Sequence, residues 1–375
     1  MSERLLYFVS HPIQYQAPLL RRIAKEPGIK LRVVFERLPD ASGSFDPGFN
    51  RTLAWDVPLT EGYDHVSIDD TNMKEELRAA DAIWCHGWQS PKMRQTLRHA
   101  NALGVPVLMR GENCDLAMPD GRGVRGWLKR RYVRRIFGQC QAFLAIGAEN
   151  RRYYERYGIP SSRIFPMPYA IDNELFAREA ETSRRNRSLT RARFGLPGDG
   201  KIVLFAGKFL RRKHPEQVAE AARRLRSDLP KPALVFIGEG EMEAEVRAAS
   251  PDALFLGFRN QTEMPGLYAA ADLLVVPSER EPWGLVVNEA MACGTAAVVS
   301  DQVGCAADLI ADDRGAVFPT GNIAALTNAL ERCLPLSESL GAVAADWIRG
   351  WGFDQDIQGL KRALEFTRTT RNARP

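Results

Sequence analysis

Residues 277–301 read PSEREPWGLVVNEAMACGTAAVVSD, and this stretch contains a strand end, a polar loop, a helix and a second strand. The first buried strand ends at Pro277, and the loop after it holds Glu281. Pro282-Trp283-Gly284 opens the helix, and Ala296–Ser300 forms the second buried strand. A strand, a helix and a strand in this order form a parallel βαβ unit. The stretch therefore predicts an α/β fold built on parallel strands.

The start of this helix is suited to bind an anion. The first N–H groups of a helix lack intrahelical partners and carry the positive end of the dipole, so they attract a phosphate or diphosphate. Glu289, about one turn into the helix, could accept hydrogen bonds from two ribose hydroxyls, and Glu281 from hydroxyls further along the ligand. The alternative is that Glu281 caps the helix and Glu289 is a solvated acid stabilised by the dipole.

Two further strand ends of the same half carry matching residue types. Gly207–Pro215 follows the first strand and includes the cations Lys208 and Lys213. Two carboxylates would repel a diphosphate, so a site of this kind requires fixed cations. Gly238 lies in a turn at another strand end. The three strand ends together favour a nucleotide-type ligand, while a solvated basic turn is the alternative for the first of them.

Both halves of the 375-residue chain alternate short apolar runs with helical patterns. This alternation predicts two Rossmann-like, doubly wound α/β domains. We expect an N-terminal domain over residues 1–175 and a C-terminal domain over residues 200–350. Residues 176–199 are expected to form a linker, because Arg178–Arg193 is rich in Arg, Ser, Asn and Glu and is followed by the Gly- and Pro-containing stretch Gly195–Gly200. Residues 351–375 are expected to form a helical tail that can cross back to the first domain.

Composition excludes several classes of protein. Hydrophobic residues make up 45% and charged residues 26%, which is ordinary for a globular protein and unlike a disordered chain or a coiled coil. The formal charge of +5 is too small to indicate a nucleic-acid binder. The six cysteines include no Cys-x-x-Cys pair, which predicts reduced thiols in a cytoplasmic protein without a metal. No apolar run approaches the roughly 20 residues of a membrane span, and the N-terminal run predicts a strand and not a signal peptide.

The ordered set of motifs resembles retaining glycosyltransferases of the GT-B fold, family 4. The family's Glu-x7-Glu pair corresponds to Glu281 and Glu289, and its phosphate loop to Gly207, Lys208 and Lys213. The resemblance implies two domains facing across a cleft, with the donor mainly on the C-terminal one and the acceptor on the N-terminal one. It implies transfer of a sugar from a nucleotide-diphosphate sugar to an acceptor hydroxyl, with retention of configuration, in the synthesis of a bacterial polysaccharide, glycolipid or related glycoconjugate.

The resemblance also implies roles for individual residues. Lys208 and Lys213 bind the diphosphate and help it leave, Glu289 holds the ribose, and Glu281 contacts sugar hydroxyls. The other donor-binding positions are Gly207, Gly238, Trp283, Gly284, Leu285 and Val286. Neither a metal nor another cofactor is expected, and Asp354-Gln355-Asp356, an Asp-x-Asp sequence in the tail, is not expected to bind one. A nucleotide-sugar epimerase, a phosphorylase and a non-catalytic binding partner remain alternatives.

The N-terminal half departs from the family's pattern at two positions. Relatives often carry Gly-Gly after the first strand, where this chain has Ser10–Gln16. Many relatives have a His where this chain has Glu112, which could accept hydrogen bonds or a proton from the acceptor. The alternative for Glu112 is an ion pair with Arg110. The other candidates to contact the acceptor are His11, Gln14, Tyr15 and His86. The alternative for His86 is a loop histidine whose hydrogen bonds are satisfied within the protein.

One strongly basic segment lies outside these motifs. Gly121–Phe137 holds seven Lys or Arg residues and no acid, with apolar residues at helical spacing. This pattern predicts a basic amphipathic helix. We consider a contact of Arg122–Arg135 with an anionic membrane or a lipid-diphosphate acceptor, which would place the protein at the inner face of a membrane. The alternative is a solvated helix whose aromatic stripe, which includes Trp127 and Tyr132, lies in the core.

Overall fold

The chain divides into an N-terminal and a C-terminal unit, each built around its own parallel sheet. The computed structural model describes residues 2–38, 44–46, 51–228 and 230–372. The N-terminal unit comprises residues 1–42, 58–171 and 352–375, and the C-terminal unit comprises residues 43–57 and 172–351. Within the described ranges, no helix has both the length and the apolar character needed to cross a membrane.

Strands and helices alternate along the first half of the chain. The strands are β1 (Glu3–Val9), β2 (Ile29–Phe35), β3 (Ser44–Asp46), β4 (Arg51–Leu53), β5 (Asp64–Ser67), β6 (Ala82–His86), β7 (Val107–Arg110), β8 (Ala142–Ala145) and β9 (Ile164–Pro166). The helices are α1 (Ala17–Ile23), α2 (Met73–Ala79), α3 (Pro91–Ala102), α4 (Gly123–Phe137) and α5 (Ala148–Arg156). Seven strands form a sheet in the order β5-β2-β1-β6-β7-β8-β9, and β3 and β4 pair separately.

The second half repeats the same alternation. Its strands are β10 (Ile202–Ala206), β11 (Ala233–Ile237), β12 (Leu254–Gly257), β13 (Leu273–Val276), β14 (Ala296–Ser300) and β15 (Gly315–Phe318). Its helices are α6 (Asn173–Arg185), α7 (Arg187–Arg193), α8 (Pro215–Arg223), α9 (Glu243–Ala249), α10 (Met264–Ala270), α11 (Leu285–Ala292), α12 (Ala306–Leu309), α13 (Ile323–Cys333) and α14 (Ser337–Arg349). The last helix is α15 (Phe353–Asn372). The sheet order is β12-β11-β10-β13-β14-β15.

Both sheets are covered by helices because their strands are apolar on both faces. In β1, Leu6 and Phe8 enter a core shared with α2–α5, while Tyr7 enters a core shared with α1 and α15. Successive side chains of a strand point to opposite faces, so a continuous apolar strand requires cover on each side. In the C-terminal unit, α8, α9 and α13 share a core with β10. The structure therefore has the two doubly wound α/β sheets that the sequence predicts.

Most of the segment over residues 176–199 is helical, although its composition predicts a linker. It forms most of α6 and all of α7, both within the C-terminal unit. Arg184 donates to the carbonyls of Cys293 and Gly294 at the end of α11, at 3.0 and 2.6 Å. Arg191 is buried and donates to the carbonyl of Ala270, the last residue of α10. The arginines thus satisfy carbonyls at helix C-termini, where the dipole favours cations, instead of being solvated.

The C-terminal tail belongs to the N-terminal unit. Leu360 and Ala363 of α15 are fully buried in the core that also holds Tyr7. Gly359 packs so closely that an added Cβ would lie 1.8 Å from the carbonyl oxygen of Pro166. The tail therefore completes the N-terminal sheet's cover, on the face that α1 covers.

Candidate active site

The predicted donor-site residues lie at one edge of the C-terminal sheet. The strand order reverses between β10 and β13, which are neighbours in the sheet. The loop after β10 carries Lys208 and Lys213, and the loop after β13 carries Glu281. In open α/β sheets, ligands bind outside the carboxyl ends of the strands at such a reversal. The structure thus brings these residues together at the position where a nucleotide-type ligand is expected.

Lys213 and Glu281 form an ion pair. The Nζ of Lys213 lies 2.6 Å from Oε2 of Glu281, and the side chains are 17% and 14% exposed. The side chain of Lys213 also packs beside Gly207, because a Cβ added to Gly207 would lie 3.7 Å from both Cδ and Nζ of Lys213. Glu281 therefore neutralises a largely buried ammonium group, for which a bound anion could compete.

Glycines allow the loops after β10 and β11 to pack against each other. The nitrogen of Gly207 donates to the carbonyl of Ile237, and that of Phe209 to the carbonyl of Glu239, both at 2.9 Å. An added Cβ at Gly238, whose φ is +126°, would lie 2.0 Å from the carbonyl oxygen of Gly207. Any side chain at Gly238 would therefore displace the cationic loop. Lys208 lies in the same loop and is partly buried.

The start of α11 is shaped by Trp283 and Gly284. Trp283 is buried, donates from Nε1 to Oδ1 of Asn288 at 2.9 Å, and stacks on Trp351 with ring centroids 5.7 Å apart. Gly284 has a φ of +98° and precedes the helix without a side-chain cap. The carboxylate of Glu281 bonds Lys213, so the alternative in which it caps α11 is wrong. The N–H groups of Leu285 and Val286, which are in the first turn, have no partner within the helix.

Glu289 is held by Tyr268, which is not among the predicted site residues. Its Oε2 accepts a hydrogen bond from the hydroxyl of Tyr268 at 2.7 Å. Burial raises the pKa of Glu289 to about 7, and the Tyr268 bond opposes that rise. This environment differs from the freely solvated acid of the alternative interpretation. A carboxylate that is already partly buried before binding is well placed to accept hydrogen bonds from ligand hydroxyls.

The raised pKa of Glu289 predicts how stability depends on pH in the absence of ligand. Between about pH 4.5 and 7, the folded state binds more protons at this site than the unfolded state, so the free energy of unfolding falls as pH rises. Glu289→Gln cannot titrate. We expect the difference in melting temperature, Glu289→Gln minus wild type, to become more positive as the pH is raised from about 5 to about 8. A difference that stays constant with pH would contradict the assignment, and Glu174→Gln, at an exposed position on α6, is the control.

A second cluster lies at the carboxyl ends of the N-terminal sheet, where the strand order reverses between β1 and β6. Glu112 follows β7 and is exposed. Its Oε1 accepts hydrogen bonds from the hydroxyl of Tyr15, at 3.3 Å, and from the hydroxyl of Tyr169. The two tyrosine hydroxyls also bond each other. The predicted residues Tyr15 and Glu112 are therefore neighbours, joined by Tyr169, which follows β9.

His86 is a satisfied, neutral histidine. Its Nδ1 lies 3.3 Å from Nε2 of Gln16, whose Oε1 accepts a bond from Tyr7 at 2.7 Å. Burial, with Arg110 and His11 nearby, lowers the pKa of His86 to about 3. It therefore does not act as a cation near neutral pH. In the loop after β1, His11 bonds Ser10 through Nδ1 at 2.8 Å, and Gln14 is partly exposed.

Arg110 pairs with the C-terminal tail and not with Glu112. Its Nη2 lies 3.2 Å from Oδ1 of Asp356 and donates to the carbonyls of Met167 and Pro168. Its guanidinium also lies over the ring of Tyr169, 5.3 Å from the centroid. The alternative of an Arg110–Glu112 ion pair is therefore wrong. Arg110 instead supports the segment that carries Tyr169.

The two carboxylates of the Asp-x-Asp sequence have separate partners. Asp356 is fully buried beside Arg110, and burial raises its pKa while Arg110 opposes the rise. Asp354 is exposed and pairs with Arg22 at 2.6 Å. The described residues hold no group of three or more His, Cys, Asp or Glu side chains arranged to bind a metal ion.

The fold places the chain in the class of GT-B proteins, which consist of two Rossmann-like units. A glycosyltransferase from Rickettsia africae has a TM-score of 0.73 and 12% identity, covering 97% of this chain and 98% of that one. HepE from Anabaena, in complex with UDP and glucose, has a TM-score of 0.69 and 15% identity, covering 97% and 99%. The chain therefore has the GT-B fold.

Sequence similarity then identifies the family. The family of glycosyl transferases group 1 matches residues 186–344. A D-inositol 3-phosphate glycosyltransferase from Salinispora arenicola is 31% identical over 318 residues, which are 76% of this chain and 69% of that protein. The chain spans about half the length, 56% and 45%, of two further relatives, D-inositol 3-phosphate glycosyltransferase 1 from Catenulispora acidiphila and D-inositol 3-phosphate glycosyltransferase from Xylanimonas cellulosilytica. The chain belongs to the glycosyl transferases group 1, a family of glycosyltransferase enzymes.

Proposed function

We propose that the chain is a retaining, family 4 glycosyltransferase that uses a nucleoside-diphosphate sugar as donor. The observation that carries the proposal is the Lys213–Glu281 pair at the β10/β13 strand ends, 2.6 Å apart and largely buried. It combines a cation for the diphosphate with a carboxylate for sugar hydroxyls, next to the first turn of α11. The UDP and glucose in the Anabaena HepE complex support a donor of this class.

The donor groups divide among the residues of the C-terminal site. The ammonium of Lys213 leaves Glu281 for the diphosphate, joined by Lys208 and by the first N–H groups of α11. Glu281, released from Lys213, accepts hydrogen bonds from hydroxyls of the donor sugar. Glu289, held by Tyr268, accepts hydrogen bonds from the ribose diol. The cations thus face the negative diphosphate, and the carboxylates face hydroxyl groups that can donate hydrogen bonds.

We propose a transfer step that retains the anomeric configuration. The bond between the anomeric carbon and the diphosphate oxygen breaks, and the diphosphate leaves with the electron pair. The acceptor oxygen forms a bond to the same face of the anomeric carbon, and its proton passes to the leaving diphosphate. Lys213 and Lys208 stabilise the negative charge that develops on the diphosphate. We expect this step to need no divalent cation, so transfer should persist in a chelator.

We assign the acceptor contacts to the cluster in the N-terminal unit. Glu112 can accept a hydrogen bond from an acceptor hydroxyl while Tyr15 and Tyr169 orient it. The names of the curated relatives point to a polyol phosphate, D-inositol 3-phosphate, as one kind of acceptor in this family. For this chain we propose a glycan or lipid-linked acceptor in the synthesis of a polysaccharide, glycolipid or related glycoconjugate at the inner face of the membrane.

A nucleotide screen tests the donor site. We expect one of UDP, GDP, ADP and TDP to raise the melting temperature clearly more than the others do. At a ligand concentration of about 100 times Kd, mass action stabilises the folded state by about 2.7 kcal/mol. The shift should fall in Lys213→Ala and in Glu289→Ala. If none of the four stabilises the wild-type protein, the donor assignment fails.

Product analysis separates this proposal from its alternatives. With donor and an acceptor extract, we expect a glycoside whose anomeric configuration, read by NMR coupling constants, matches that of the donor. An epimerase would instead change the free nucleotide sugar without any acceptor, and a phosphorylase would require inorganic phosphate. A non-catalytic binding partner would show the nucleotide shift without any product. An inverted product would contradict the retaining mechanism.

A further inference from the structure

Helix α4 has a second apolar face that the fold does not bury. Its inner face buries Val133, Ile136 and Phe137 in the core of the N-terminal unit. Val124, Trp127 and Leu128 are 73%, 54% and 52% exposed. At about 100° per residue, these three lie on the side of the helix opposite Val133. The sequence pattern places Trp127 and Val133 in one apolar stripe, whereas the structure places them on the exposed and buried sides of α4.

The exposed face is strongly cationic. A surface pocket of about 610 Å³ is lined by Trp127, Arg130, Arg131, Arg134 and Arg135. The guanidinium of Arg131 lies 6.0 Å from the Trp127 ring centroid. Among the described residues, Lys129 of this helix pairs with Asp120, whereas no carboxylate lies within ion-pair distance of the four arginines. Within the described part of the chain, the charge of the four arginines therefore has no carboxylate partner.

We propose that this face of α4 docks on an anionic phospholipid bilayer, with Trp127 and Leu128 at the acyl boundary and the arginines at the phosphates. Tryptophan favours membrane interfaces, and clustered basic residues are attracted to anionic leaflets. The inference deepens the proposed function and rests on it for its biological setting, whereas the binding itself requires no catalysis.

Other occupants fit this face less well. A symmetric dimer through α4 would place two arginine-rich faces against each other, because an isologous interface uses the same patch on both copies. A nucleic acid would be bound by the arginines through its phosphates, but that contact does not account for exposed Val124 and Leu128. A bilayer surface satisfies both the charged and the aliphatic side chains of one helix face.

The test is flotation of the full chain with vesicles of phosphatidylglycerol and phosphatidylcholine, or of phosphatidylcholine alone. We expect binding to the anionic vesicles only, and a decline as salt is raised. Two double variants, Arg131→Glu with Arg135→Glu and Trp127→Ser with Leu128→Ser, should each lower the bound fraction by about tenfold. Arg98→Glu with Arg362→Glu changes the net charge equally at exposed positions on α3 and α15, and should bind like wild type.

Several outcomes would overturn the proposal. One is that the wild-type chain stays unbound at low salt. Another is that the Trp127 and Leu128 variant binds as well as wild type, which would indicate that the arginines bind any polyanionic surface. Loss of a concentration-dependent dimer in the α4 variants would assign the face to a second copy. Melting curves identify any variant that fails to fold, and the nucleotide-induced shift, which involves none of these residues, reports separately on the proposed function.

Discussion

Replacing Lys213 by alanine is expected to lower the rate of sugar transfer by about 100- to 1,000-fold, while the protein remains folded. The substitution removes the cation closest to the predicted diphosphate, and groups that stabilise developing charge contribute on this scale. It also leaves Glu281 without its partner at 2.6 Å, so its negative charge would repel the donor phosphates. Steady-state kinetics with the nucleotide sugar found in the screen measure both kcat and KM.

A neighbouring cation provides the matched control. Arg211 lies in the same loop but pairs with Glu245 on the surface, where the two side chains are 71% and 51% exposed. Arg211→Ala should therefore stay within about threefold of the wild-type rate, because exposed pairs contribute little. Lys213→Arg should recover part of the activity, since it keeps the charge and changes its geometry. A Lys213→Ala rate within threefold of wild type would refute the role of Lys213.

Replacing Asp356 by alanine is expected to cost about 3–5 kcal/mol of folding free energy. Asp356 is fully buried, and its loss leaves the Arg110 guanidinium as an uncompensated buried charge. Arg110 also holds the carbonyls of Met167 and Pro168, next to Tyr169. The substitution should thus loosen the cluster of Tyr15, Glu112 and Tyr169 as well as the fold. Urea unfolding, extrapolated to water, measures the loss.

Asp354→Ala tests whether burial is the cause. The residue lies on the same helix, two positions earlier, and pairs with Arg22 where the side chains are 66% and 45% exposed. Exposed pairs contribute at most about 1 kcal/mol, so this variant should unfold almost like wild type. Replacing both Arg110 and Asp356 by apolar residues should restore part of the stability. Equal losses at Asp354 and Asp356 would contradict the interpretation.

The grouping of the candidate donor-site residues at one edge of the sheet could be predicted because they are close in sequence to strand ends. The strands are short apolar runs, and the carboxyl ends of parallel strands lie at one edge of a sheet. Gly207, Lys213, Glu281 and Glu289 could thus be assigned to one site before any contact was known. Tyr268 could not, because it lies inside α10, and no local pattern indicates that its hydroxyl reaches Glu289.

The arginine-rich segment and the tail show where composition fails as a guide. Arg184 and Arg191 would be solvated in a linker, but carbonyls at the ends of α10 and α11 are close enough to bind them. Asp354-Gln355-Asp356 has the appearance of a metal motif, yet one carboxylate is exposed and the other is buried. In each case the partner lies more than 75 residues away in sequence, so only the fold reveals it.

The parallel α/β architecture, the position of the loops at the strand ends and the basic character of α4 are predictable from the sequence, because they depend on local periodicity and on residue type. Tertiary structure alone decided which groups meet. Examples are Lys213 with Glu281, Glu112 with Tyr169, Arg110 with Asp356, and the exposure of Trp127. The physical reason is that hydrogen bonds and ion pairs act over a few ångströms in space, whereas periodicity reports only on neighbours along the chain.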